Sequence, residues 1–191
     1  MGSFFEKLML ARQISFKEGR IEYLGNSRLM LLSQGFLAMY TESVIDSRKE
    51  TYRLYKNCKE DMRDRFIKKI TGSHGAGSRR GMMELLKGTS EFGGWGTYEF
   101  ETVEENEHKT IFRMYDGIVS SALKGKVKKP CDHIFRGLTA GAMSVMFNED
   151  IDCLEISCEA VGDPVCRFVA GRPEFLKSKY LDSFKEQLEV V

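Results

Sequence analysis

The order of hydrophobic periodicities along the chain predicts an α+β fold, an antiparallel β-sheet packed against helices. Three observations lead there. Short stretches of alternating polarity near the start and again after residue 96 read as hairpins, and two long stretches between them carry apolar residues every three to four positions. The elements run strands, helices, strands, helix, with no repeated strand–helix–strand unit.

Taken in order, Gln13–Phe16 and Arg20–Leu24 flank Lys17, Glu18 and Gly19 as a first hairpin. Leu32–Ile45 and Thr51–Ile70 follow as amphipathic helices, the second striped by Tyr55, Cys58, Met62, Phe66 and Ile70. Gly72, Gly75, Gly77 and Gly81 interrupt the pattern, a short helix is expected over Met82–Leu86, and Phe92–Gly96 is a second glycine-rich turn. Thr97–Val103 and Thr110–Tyr115 form a second hairpin, followed by a short helix over Gly117–Leu123 and a basic connector, Lys124–Pro130. Asp132 is placed as N-cap of a helix to about Phe147, whose Gly137, Gly141 and Ser144 make a small-residue face for close helix packing. Ile151–Glu159 and Val165–Ala170 are strands around a turn near Gly162, and Pro173 opens a last helix striped by Leu176, Tyr180, Phe184 and Leu188. Residues 1–191 form one domain: an N-terminal hairpin and helices over 1–109, a core over about 110–170 and a C-terminal helix over 172–190.

Charge excludes some functions. With 29 Lys and Arg against 28 Asp and Glu, the net charge of +1 provides no field for gathering nucleic acid or anionic membrane. The longest apolar runs fall far short of the ~20 residues that span a bilayer. Met1–Leu10 lacks the features of a secretory signal and Glu6 stands where a myristoylation signal needs Ser or Thr, so a reducing cytoplasmic setting is expected. There, five cysteines read first as free thiols or metal ligands.

A turn near Gly162 makes Cys158 and Cys166 direct cross-strand partners, close enough to fill two corners of a zinc tetrahedron. Cys131, just ahead of a helix N-terminus where thiolates are favoured, is a third donor. Glu155 joins them only if a bulge or strand end falls between it and Cys158, because strict alternation would set the two on opposite faces. Arg136 and Arg167 are placed to offset the excess negative charge. A cross-strand disulfide, or plain burial of small thiols, accounts for the same spacing. Four protein ligands leave no open position for water, so such a zinc would be structural.

The run Cys131-Asp-His-Ile-Phe-Arg-Gly137-Leu-Thr-Ala-Gly141, with Glu155-Ile-Ser-Cys158-Glu-Ala-Val-Gly162-Asp163-Pro-Val-Cys166-Arg-Phe168, resembles the 4-vinyl reductase domain family. The resemblance is strong from about Thr110 to Ala170. It implies a fold like that of TRAPP tethering subunits and haem-based NO sensors, commonly dimeric. It also implies a zinc site at Cys131, Glu155, Cys158 and Cys166 beside a pocket for an aromatic effector, as in phenol-sensing input domains. From the residue pattern, Trp95, Phe100, Phe112, Met114 and Cys153 are expected to line that pocket.

The expected function is a zinc-stapled sensor or regulatory domain for a small apolar or aromatic molecule, a homodimer signalling through a separate partner, with binding favoured over catalysis. The rivals are a reductase or reductase accessory acting on a tetrapyrrole, which needs a redox cofactor, and a protein-interaction adaptor, which needs a fully packed interior. Gly75-Ala-Gly77-Ser-Arg-Arg-Gly81 follows a charged helix instead of a buried strand, which argues against a dinucleotide loop. Lys124, Lys126, Lys128 and Lys129 lack the interleaved aromatics of a nucleic-acid surface, and His74, His108 and His133, read as polar or loop residues, have no evident nucleophile partner.

Overall fold

A computed structural model describes residues 14–17, 20–23, 27–29, 33–66, 79–104 and 107–189. The N-terminal segment 1–13, the glycine-rich stretch through Gly75 and Gly77 with His74, and the last residues of the second expected helix lie outside these.

Strands β1 (Ile14–Lys17) and β2 (Arg20–Tyr23) pair antiparallel as the first hairpin, and a further strand, β3 (Ser27–Leu29), extends them. Helix α1 (Gln34–Val44) begins where the Ser33 hydroxyl accepts from the Phe36 N–H, and α2 (Arg48–Asp61) where Ser47 does the same for Glu50. The latter runs on into a π-helical turn, Met62–Phe66. The short helix expected over Met82–Leu86 is longer, α3 (Arg79–Phe92), because Gly88 is tolerated inside it and the break comes only at Gly93 and Gly94.

Strands β4 (Thr97–Glu104) and β5 (Lys109–Tyr115) form the second hairpin. After α4 (Ile118–Ala122) come α5 (His133–Phe147), β6 (Asp152–Ser157), a 3-10 turn (Glu159–Val161) and β7 (Cys166–Gly171). The main sheet is fully antiparallel in the order β4-β5-β7-β6. Its inner face supplies Tyr98, Phe112, Met114, Cys153 and Phe168 to a core closed by α5, whose Phe135 packs edge-on against Phe168 and Tyr98. Its outer face carries charge: Glu101, the extra residue of a bulge in β4, is gripped by Arg113 and Arg167. Arg167 therefore does not serve the cysteine cluster as expected, since alternation along β7 turns Cys166 inward and its neighbour outward.

The small-residue face of α5 behaves as its sequence suggests. A Cβ at Gly137 would meet Tyr55 O and Cys58 Cβ, and one at Gly141 would meet Lys59 O and Met62 Cβ, so the backbones of α2 and α5 touch. Ser144 ties the end of α5 to the next strand, its hydroxyl accepting from the Ile151 N–H at 3.0 Å.

The single C-terminal helix is in fact two, α6 (Pro173–Lys179) and α7 (Leu181–Gln187), broken at Tyr180, whose φ of −133° and ψ of 46° lie outside the helical range. The bend keeps Leu176, Phe184 and Leu188 buried while bringing Gln187 to the free edge of β6. There its amide accepts from the Glu155 N–H at 3.0 Å and donates to the Glu155 carbonyl at 2.8 Å, standing in for a missing strand.

Candidate functional site

The register of β6 against β7 decides the cysteine cluster. Cys153, Leu154 and Glu155 face Ala170, Val169 and Phe168; the register then shifts, Ile156 is extra, and Ser157 faces Arg167. Continued one step, that register sets Cys158 across from Cys166. The bulge also restores Glu155 and Cys158 to one side of the sheet, the condition that the Glu155 ligand required. Both sulfurs and Glu155 are buried.

The loop between the two cysteines is fastened around them. The Cys158 N–H donates to Asp163 Oδ2 at 2.7 Å, the Glu159 N–H points at Cys166 Sγ at 3.2 Å, and Gly162 supplies the positive φ of 109° that closes the turn. All five cysteines are free thiols.

Ligand atoms of Asp132, Glu155, Cys158 and Cys166 all lie within 4.8 Å of one another. Cys131 is not in that foursome, though its Sγ is 3.8 Å from Cys158 Sγ. Asp132 is an addition, and a correction: it precedes α5 as expected, but its side chain makes no capping bond. The carboxylate of Glu155 receives the Asp132 N–H instead, at 3.0 Å. Asp132 Oδ2 and Glu155 Oε1 are buried without any hydrogen-bond partner among the described residues.

Such a cluster resists holding its own charge. Burial, then repulsion from Asp132 and Cys166, pushes the Glu155 carboxyl well above the usual range, and burial also raises Asp132. The thiols of Cys158 and Cys166 are raised by the hydrogen bond each makes with a neighbouring cysteine and by burial. At Cys131 the bond to Cys158 lowers the thiol, but burial and the nearby acids outweigh it and leave it at about 11. A bound cation would reverse all of these, and two sulfurs with two carboxylates form a donor set suited to a divalent transition metal.

Beneath the cluster, Arg136 is fully buried, stacked 4.8 Å over the Tyr55 ring and donating to the Cys153 carbonyl at 3.0 Å. A second Arg136 nitrogen sits 2.9 Å from His133 Nδ1. Arginine can only donate, so neutral His133 carries its proton on Nε2. His133 is thus an interior residue, not the polar or loop residue expected, and burial followed by Arg136 holds it well below its ordinary pKa.

A cavity of about 60 Å³ lies on the other side of α5, lined by Met62, Leu86, Thr89, Trp95, Phe135 and Leu138, with Ser90, Tyr98 and Thr139 completing it. Tyr98 and Thr139 pair their hydroxyls at 3.3 Å, while Thr89 Oγ1 and Ser90 Oγ are buried with no partner among the described residues. Of the five residues expected to line a pocket, Trp95 does. Phe112, Met114 and Cys153 are packed into the core, and half-buried Phe100 sits edge-on to Tyr98. The strands were the natural place to look for apolar lining, but the cavity is walled largely by α3 and α5. Thr89 and Ser90 escaped notice because the sequence pattern ends their helix at Leu86.

Residues 110–172 match the 4-vinyl reductase domain. The chain carries a 4-vinyl reductase domain. That segment runs from β5 through β7 and holds the whole cysteine and carboxylate cluster, whereas Thr89, Ser90, Trp95 and Tyr98 precede it. Among solved structures, the phenol-responsive sensory domain of the transcription activator PoxR, determined with phenol, superposes over the full length of both chains with a TM-score of 0.72 at 18% identity. Trafficking protein particle complex subunit 3 from Naegleria fowleri, covalently bound to palmitic acid, covers 72% of this chain and 93% of its own with a TM-score of 0.52 at 15% identity. A vinyl-4-reductase family protein from Methanocaldococcus jannaschii covers 77% of this chain and 84% of its own, with a TM-score of 0.49 at 15% identity. No curated protein sequence gives a significant match. At these identities the first two superpositions establish the α+β fold around the 4-vinyl reductase segment. Among the described residues, no helix is long and apolar enough to cross a membrane.

Proposed function

We propose that this protein is a small-molecule sensor domain, taking a small aromatic ligand into the cavity between α3, α5 and β4 and using a zinc ion at Glu155, Cys158 and Cys166 as a staple. One observation carries the ligand reading: an otherwise apolar cavity with two unpartnered hydroxyls, Thr89 Oγ1 and Ser90 Oγ, at one side. Leaving buried polar atoms unpaired costs about 1–3 kcal/mol each, which a ligand with one hydroxyl or carbonyl would recover. The full-length superposition on a phenol-responsive domain supports the same assignment.

At about 60 Å³ the cavity is smaller than the ~150 Å³ site that accepts benzene, so a ring enters as α3 moves outward. That movement is the signal, handed to a separate partner by a homodimer. The zinc holds β6, β7 and the start of α5 together while α3 gives way.

Thermal unfolding with phenol and with toluene, alongside native mass spectrometry of the purified protein, tests the reading. Phenol should raise the midpoint saturably. Ser90→Ala should weaken phenol about fivefold and leave toluene unchanged, as expected for one hydrogen bond of about 1 kcal/mol. Absence of any midpoint shift with either ring, and of any co-purified ligand, would refute it and leave the adaptor reading ahead.

A further inference from the structure

Five donors crowd a site that needs four, and which of two adjacent residues is surplus follows from their chemistry. We propose that Asp132 supplies the fourth metal ligand and that Cys131 stays outside as a neutral thiol. This rests on the metal reading above. It replaces a set of three sulfurs and one oxygen by two of each.

Spacing alone does not exclude Cys131. Two sulfurs at 2.3 Å from a tetrahedral zinc sit about 3.8 Å apart, which is the Cys131–Cys158 separation of 3.8 Å. The other donors decide. Asp132 is within 4.8 Å of Glu155, Cys158 and Cys166 together, and Cys131 does not belong to that set.

The cost of being left out is also unequal. A buried thiol outside the metal remains a small apolar side chain and loses nothing. A carboxylate 2% exposed with Oδ2 unpartnered carries a penalty that only a proton or a cation removes. Asp132 has moreover given up the usual occupation of an aspartate at that position. With φ −84° and ψ 46° it makes no side-chain cap, and the Glu155 carboxylate takes the Asp132 N–H.

The resulting set is compact in sequence and mechanically coupled. Asp132 comes from the start of α5, Glu155 and Cys158 from either side of the β6 bulge, and Cys166 from the start of β7. One ion would bind three elements at the point where the sheet meets the helix. Its formal charge with zinc is −2, counting two thiolates and two carboxylates. The Asp132 and Glu159 N–H groups, directed at Glu155 and Cys166, and the positive end of the 15-residue α5 partly offset it.

The test uses the full chain loaded with one equivalent of zinc or cobalt(II). X-ray absorption at the zinc edge of the unmodified protein should fit two sulfurs and two light ligands. In the cobalt form, whose thiolate charge-transfer band grows with the number of bound sulfurs, Cys131→Ala should leave the band unchanged and Asp132→Cys should raise it by about half. Asp132→Ala should lower zinc affinity by more than the roughly 10- to 100-fold typical of losing an outer-shell partner. Three sulfurs at the zinc, or loss of a third of the band in Cys131→Ala, would overturn the assignment while leaving the metal reading intact. Failure of the unmodified protein to bind either metal would overturn both. The absorption measurement needs no variant, so the assignment remains testable if a substitution prevents folding.

Discussion

Replacing Gly141 by alanine places a methyl group where α2 already runs. The new Cβ would overlap the Lys59 carbonyl oxygen and lie 2.8 Å from Met62 Cβ and 3.0 Å from Arg63 N, against the 3.4 Å or more of ordinary contact. Two of these three neighbours are backbone and cannot rotate away, so α2 and α5 must separate by roughly half an ångström or more, with a cost near the top of the 1–3 kcal/mol range for overpacking. Alanine returns about 1 kcal/mol of helix propensity, for a net loss of about 2 kcal/mol. At this chain length that is about 4–8 °C in the unfolding midpoint. Urea and thermal unfolding of the metal-loaded protein measure it, with Gly35→Ala as control. Gly35 has nothing within 4 Å of its would-be Cβ, so the same change in α1 should stabilise by about 0.5 kcal/mol. Equal or greater stability in Gly141→Ala would refute the close contact between α2 and α5.

Gln187→Leu should cost about 1–3 kcal/mol by unpairing both backbone groups of Glu155, and zinc titration should show weaker binding in the same variant. Chelator treatment should release the metal and lower the unfolding midpoint, and acid should do the same because the ligands must be deprotonated to bind. Arg172 and then His108 hold the Glu149 carboxyl down, to about 2. A depressed carboxylate stabilises above its unfolded value of 4.5, and that contribution disappears as pH falls through the folded value. The urea midpoints of wild type and Glu149→Gln should therefore differ at pH 6 and converge towards pH 2. Tyr55→Phe should destabilise by about 1–3 kcal/mol, measured by urea unfolding, since its hydroxyl donates to Asp152 at 2.6 Å and accepts from the Cys153 N–H at 3.2 Å.

Local patterns carried most of the fold. Alternation located both hairpins, three-to-four periodicity located α1, α2 and α5, and Gly137 with Gly141 marked the helix contact before any coordinates. Errors fell at helix ends, where periodicity does not register termination: α3 continued past Leu86, and Tyr180 broke a stripe whose every apolar member is still at least half-buried. The metal segment was legible because a two-residue period and one turn fix which side chains share a face. Even the need for a bulge between Glu155 and Cys158 followed from counting.

What the sequence by itself determined is therefore whatever depends on neighbours along the chain: strands, helices, the opposition of Cys158 and Cys166, and the need for a break beside Glu155. Only the tertiary structure decided which distant groups converge. It brought Asp132 to the cluster, withdrew Arg167 to the outer face, and built the cavity from α3 and α5 more than from the strands. The reason is physical. Periodicity reports a side chain's direction relative to its own element, whereas a site depends on how two elements are set against each other, and that is fixed by packing across the core.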